Sequence, residues 1–177
     1  HALYKDLLNF CTVDLSAFYF DIRKDTLYCD ALDTLKRKST VTFLNILLEI
    51  LLKWFAPILS FTTEEIYRLI KIDSNKSIHL EKFPNMPAKW KNKKLETKWM
   101  ELMKIREICN SSIEIKRASK EIGSSLEANL IINLNEKITN LVQDVDFSEL
   151  CITSDAKIKK SKFDEITVET LKAEGNK

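Results

Sequence analysis

Val41-Thr42-Phe43-Leu44-Asn45-Ile46-Leu47-Leu48-Glu49-Ile50-Leu51-Leu52-Lys53-Trp54-Phe55, followed by Ala56-Pro57, decides the fold of this chain. Asn45, Glu49 and Lys53 recur every fourth residue, and almost everything between them is apolar. That spacing predicts a helix over 41–55 with one thin wet edge and apolar neighbours elsewhere, as in the middle of a bundle. Glu49 and Lys53 are spaced for an i,i+4 pair along that edge. Pro57 ends the helix, because proline disfavours helical geometry in the residue before it. The run is too short and too often interrupted to span a bilayer, so no membrane partner is expected.

Upstream, Leu3, Leu7, Phe10, Val13 and Ala17 form a helical stripe over 2–20. Phe18 to Cys29 reads as a basic, aromatic loop, and 33–39 as a connection or the first turn of the next helix. Downstream, Thr62 with Glu65 makes a capping-box pattern before Ile66, Leu69 and Ile70, and Asp73-Ser74-Asn75 closes that short helix. The stretch 76–94 holds two prolines and no clear period. A longer helix is expected over 95–121, with Leu95, Trp99, Leu102, Cys109 and Ile113 on one face and Gly123 as its terminator. Beyond it, 128–134 partly alternates and is rich in branched residues, which predicts a strand. A helix over 136–144 and strands over 150–153 and 166–171 complete the reading. The expected fold is mainly α: a helical bundle (1–75), a connector (76–94), a long helix completing the bundle (95–122) and a small α+β subdomain (123–177).

Composition narrows the possibilities. Of 177 residues only two are glycine and three proline, which favours long helices over many short strands. A net charge of +2 does not announce nucleic acid, so any RNA site must be a local patch. Cys11, Cys29, Cys109 and Cys151 form no Cys-x-x-Cys pair, and only His1 and His79 could assist them, so no metal site is expected. The same dispersed thiols suit a reducing, cytoplasmic setting. Glu64, Glu65 and His79 have no nucleophile at a spacing that would make them acid–base partners, and no catalytic residue is assigned.

Several blocks resemble the isoleucyl-tRNA synthetases of bacterial type, within the class I aminoacyl-tRNA synthetases. Phe18 to Cys29 looks like the family's aromatic-Asp-x-x-Lys-Asp-x-x-Tyr tract, and Arg37-Lys38-Ser39 stands where the family has Arg-Arg-Ser. Trp54 to Glu65 matches almost residue for residue, and Ser77-Ile78-His79-Leu80 with Pro84 resembles the segment that follows the bundle. Trp99, Arg106, Glu114, Arg117 and Lys120 are spaced as in the family, leading into Ile122-Gly123-Ser124-Ser125-Leu126-Glu127-Ala128. That last string is similar to a signature separating isoleucyl enzymes from their valyl and leucyl relatives.

The resemblance implies an anticodon-binding region whose partners are an isoleucine tRNA, through its anticodon stem-loop, and the remaining domains of the same synthetase. The adenylate-forming motifs His-Ile-Gly-His and Lys-Met-Ser-Lys-Ser are absent, so no cofactor is expected on this chain. The whole enzyme would use ATP and magnesium, with zinc in a region outside the chain. Ala173 to Lys177 resembles a string that precedes a cysteine-rich zinc module in many bacterial members, which implies a piece of a longer enzyme, with His1 a tag remnant.

RNA binding uses cations at phosphate spacing and flat side chains for unstacked bases. Lys24 and Tyr28, four residues apart, can supply both, against the plainer reading of a solvated lysine beside core aromatics. Arg37 and Lys38 form part of a cationic cluster at a helix start, where backbone N–H groups also face a phosphate. Arg106 falls on the apolar face of the long helix, so it is either paired with an acid or placed at the face's edge. Arg117 and Lys120 stand nearer the helix end and are favoured for RNA. The Lys89 to Trp99 cluster interleaves cations and aromatics but is equally a solvated edge. The rival is a helical protein-interaction or structural module without RNA binding.

Overall fold

The computed structural model describes residues 2–71 and 76–174. The expected closing signal at 73–75, the tail at 175–177 and residue 1 lie outside the described residues. The chain divides into two compact units, 1–90 and 91–177.

In the first unit, α1 (Ala2–Asn9) runs into a π-helical stretch (Phe10–Phe20) and then into α2 (Asp21–Tyr28). The aromatic tract expected as a loop is therefore helical. It contains no glycine or proline to break the backbone, and Ile22 and Thr26 are buried along it. Tyr19 packs edge-on against Phe43 at 5.1 Å between ring centroids, which ties this stretch to α3 (Leu35–Phe55). Helix α3 starts where Thr34 caps it and stops at Ala56-Pro57, as the proline dictates. Leu52, Ala56, Tyr67 and Ile78 form the core where α3 meets α4 (Ser60–Ile70).

Three local expectations change here. Thr62 does not cap α4: the helix begins earlier, at Ser60, and Thr63 returns its hydroxyl to the Leu59 carbonyl at 2.9 Å. Glu49 and Lys53 do not pair with each other. Glu49 takes Lys71 at 3.0 Å and Lys53 takes Glu81 at 3.3 Å, because α4 and the segment after it bring opposite charges to that edge. Nor is α3 enclosed on all its apolar faces, since Val41, Phe43, Ile46 and Leu48 are exposed.

The segment 77–80 is more than a connector. Glu64 Oε2 accepts from the Ser77 hydroxyl at 2.7 Å and from the Ile78 N–H at 3.0 Å, and Ile78 is only 2% exposed.

The second unit is built on α5 (Lys93–Ala118), whose N-terminus is capped by Asn92. Leu102, Ile105, Cys109 and Ile113 are buried along one stripe, spaced by three and four residues. They cover a three-stranded sheet ordered β2-β1-β3, with β1 (Ala128–Asn135) parallel to β2 (Asp155–Ser161) and antiparallel to β3 (Thr167–Lys172). Strand β1 alternates strictly, burying Ala128, Leu130, Ile132 and Leu134. Helices α6 (Glu136–Val142) and α7 (Phe147–Cys151) make the crossover. The long helix, expected to complete the bundle, thus lies in the second unit, where its buried stripe belongs to the core of the sheet.

Two sequence expectations fail in this unit. Residues 150–153 are not a strand: Asp146 caps α7 through the Ser148 and Glu149 amides, and Ile152 closes it at φ 56°. Gly123 does not terminate α5. Ser119 is the last capping residue, and Lys120 takes the left-handed conformation at φ 59° with its N–H on Arg117 O. Strand β2, lysine-rich and partly alternating, has no counterpart in the sequence reading.

Candidate nucleic-acid interface

The turn between α2 and α3 gathers four of the seven expected contact residues. Thr34 sits extended at φ −62°, ψ 138°, and its hydroxyl accepts from the Arg37 N–H at 3.4 Å, which starts α3 and fixes its first turn. Arg37 is half-buried, and its Nε donates to the Leu27 carbonyl in the last turn of α2 at 3.1 Å. Its neighbour Lys38 is exposed. Lys24 pairs with Asp21 at 2.9 Å, and that contact holds its ammonium pKa above the ordinary lysine value.

Tyr28 ends α2 and is 87% exposed, with Leu32 and Leu35 also exposed beside the turn. A bare ring flanked by cations is the combination that stacks a base while holding its phosphate. The exposed leucines were missed from sequence. No local signal marks them, because apolar residues on either side of a helix start often pack against each other. The preceding aromatics behave differently. Phe18 and Tyr19 are half-buried, and burial raises the Tyr19 hydroxyl pKa against the opposing pull of Arg23 and Thr40.

The second unit brings Arg117 and Lys120 together at the end of α5. Arg117 Nη1 meets Glu114 at 2.6 Å, and Lys116 meets Glu121 at 2.7 Å, which lowers the Glu121 carboxyl pKa. Lys120 is exposed on the left-handed residue. Arg106 stands apart from both. Its Nε donates to the Leu150 carbonyl at 3.0 Å, a main-chain oxygen at the end of α7. The hydrogen bond from Cys109 lowers the pKa of the Cys151 thiol against the opposing effect of burial, and the Arg106 charge adds a smaller pull in the same direction.

No assembly of acid, base and nucleophile emerges among the described residues. A cavity of about 250 Å³ lies between α3 and α4 over Leu52 and Ile78, but its charges are spent on each other in the Glu49–Lys71 and Lys53–Glu81 pairs. His79 is exposed, and Ser77 is held by Glu64. Among the described residues no cluster of three His, Cys, Asp or Glu side chains could hold a metal ion. No described helix is long and apolar enough to cross a membrane.

The family described as "Anticodon-binding domain of tRNA ligase" matches residues 1–132. The chain belongs to the anticodon-binding domain family of tRNA ligases. That membership takes in the α2–α3 hairpin, α4 and all of α5. The domain is similar along its whole length to an isoleucine–tRNA ligase of Pelagibacter ubique, at 64% identity over 177 residues. It is 46% identical over 149 residues to the isoleucine–tRNA ligase of Agrobacterium fabrum, and 47% identical over 150 residues to that of Mesorhizobium japonicum, each covering 84% of the chain. The chain spans 19% of the length of the first of these relatives and 15% of the other two.

Proposed function

We propose that this anticodon-binding domain is the tRNA-gripping part of an isoleucine–tRNA ligase, holds the anticodon stem-loop of an isoleucine tRNA, and performs no bond-making step itself. The observation that carries the reading is the exposed Tyr28 ring at the α2–α3 turn, within one turn of Lys24 and beside the helix start that carries Arg37 and Lys38. Cations fix the backbone of a loop and a free ring takes a splayed base, so affinity and base choice arise from different side chains. In the second unit, Arg117 and Lys120 supply further cations at the end of α5. The grip would place the acceptor end of the tRNA in catalytic domains elsewhere in the ligase, where ATP and magnesium would activate isoleucine in the cytoplasm. Zinc, where the ligase carries it, belongs to regions outside this chain.

A titration of the chain with isoleucine, valine and an unrelated tRNA at low and moderate salt tests this. The reading expects preferential, salt-sensitive binding of the isoleucine tRNA. Equal binding of all three would remove the isoacceptor claim.

One observation favours a second reading, a docking module without RNA affinity. Val41, Phe43, Ile46 and Leu48 leave apolar surface exposed along α3. Such a module would show no RNA binding at any salt.

A further inference from the structure

Arg37 is held from two sides. Its N–H is tied to the Thr34 hydroxyl in the first turn of α3, and its Nε is tied to Leu27 O in the last turn of α2, at 3.1 Å. The last carbonyls of a helix have no partner within it and carry the negative end of its dipole, so a guanidinium there is both a hydrogen-bond donor and a favourable charge. Next to Leu27 stands Tyr28, 87% exposed and with no packing of its own to fix its ring. Just beyond Tyr28 the Cys29 and Asp30 amides both return to Asp25 O, at 2.7 and 3.3 Å, and further on the Ala31 carbonyl accepts the Thr34 N–H at 3.2 Å.

We infer, resting on the tRNA-binding reading above, that Arg37 is a positioning residue: it clasps the last turn of α2 and holds Tyr28 ready for a base, while Lys24 and Lys38 make the phosphate contacts. An aromatic platform on a frayed helix end must be ordered when RNA arrives, and that ordering subtracts from affinity. The clasp removes this cost in advance. The guanidinium keeps its charge and its Nη donors, so the salt dependence of binding shows whether Arg37 also meets a phosphate.

Salt dependence separates positioning from contact. Each phosphate contact adds a slope of about 0.7 to 0.9 to the plot of log affinity against log salt. Titrate the full chain with a transcribed tRNA bearing an isoleucine anticodon over a salt series, for wild type, Arg37→Gln, Tyr28→Ala, their double variant and Lys38→Gln. Amide hydrogen exchange is measured on the same proteins without RNA. Arg37→Gln is expected to weaken binding about tenfold, the scale of one lost stacking contact. Its salt slope stays at the wild-type value, and it adds little to Tyr28→Ala. Lys38→Gln lowers the slope by about one contact. Exchange at Cys29 and Asp30 accelerates in Arg37→Gln while α4 keeps its protection.

A fall in slope for Arg37→Gln, additivity with Tyr28→Ala, or unchanged exchange at Cys29 and Asp30 would each overturn the inference. Uniform loss of protection through α3 and α4 would also overturn it, since Arg37 would then support the whole unit. Absence of binding by the wild type would instead bring down the tRNA reading. The exchange measurement would still decide whether the clasp exists.

Discussion

Arg106 Nε, on α5, donates to the Leu150 carbonyl at 3.0 Å, across 44 residues of sequence. Leu150 is buried, so removing the donor leaves a shielded main-chain oxygen without that partner. Arg106→Gln should destabilise the second unit by about 1–3 kcal/mol in denaturant unfolding. A cost below the error of the measurement would show that water replaces the guanidinium there.

Helix starts in this chain are unequal, and substitutions read the difference. The Asn92 side chain accepts from the Leu95 N–H at 3.1 Å, whereas Thr62 lies inside α4. Asn92→Ala should cost about 1 kcal/mol, and Thr62→Ala less than about 0.5 kcal/mol. Equal losses in thermal melts would contradict this assignment of caps.

Glu64 predicts a pH dependence for the first unit. Hydrogen bonds from Ser77, and then from Arg68 and the Ile78 amide, lower its carboxyl pKa from 4.5 to about 2. The folded state holds the proton less tightly than the unfolded state. The stabilisation is therefore complete above 4.5 and is lost as pH falls from there through 2. Melting temperatures measured across that window should fall for the wild type, with a shallower fall for Glu64→Gln. Parallel curves would show that Glu64 is not the group responsible.

Lys120 combines a backbone role with an expected RNA role. At φ 59° its side chain opposes the left-handed conformation, which glycine adopts freely. Lys120→Gly should leave stability equal or raise it by up to about 1 kcal/mol, while lowering the salt slope for tRNA by about one contact. A large destabilisation would mean that the lysine side chain itself holds the end of α5.

Much of this fold was legible because its strongest signals are local. Pro57 stops α3 by backbone sterics alone, and the alternation of Ala128 to Leu134 marks a strand buried on one face. Some failures come from a deciding partner distant in sequence, and others from a local cap that overrides the residue pattern. Glu49 and Lys53 carry the spacing of a helical pair, yet Lys71 and Glu81 arrive from later segments and take them. Residues 150–153 look like a strand until Asp146 is seen capping α7. Ile105, absent from the expected core stripe, is fully buried because the sheet covers that side of α5.

The candidate site shows the same limit. Lys24, Tyr28 and Lys38 were chosen on residue type, and the structure places them on α2 and in the first turns of α3. What sequence could not separate were the two arginines, 37 and 106. Their role depends on which carbonyl the fold brings to Nε, Leu27 in one case and Leu150 in the other.

The central claim is that the α2–α3 turn grips RNA through separate phosphate and base contacts. The direct measurement is the affinity of the full chain for an isoleucine anticodon stem-loop across a salt series, comparing wild type with Lys24→Gln/Lys38→Gln. The account predicts salt-sensitive binding whose slope falls by about two contacts in the double variant. Binding with an unchanged slope, or no binding by the wild type at low salt, would contradict it.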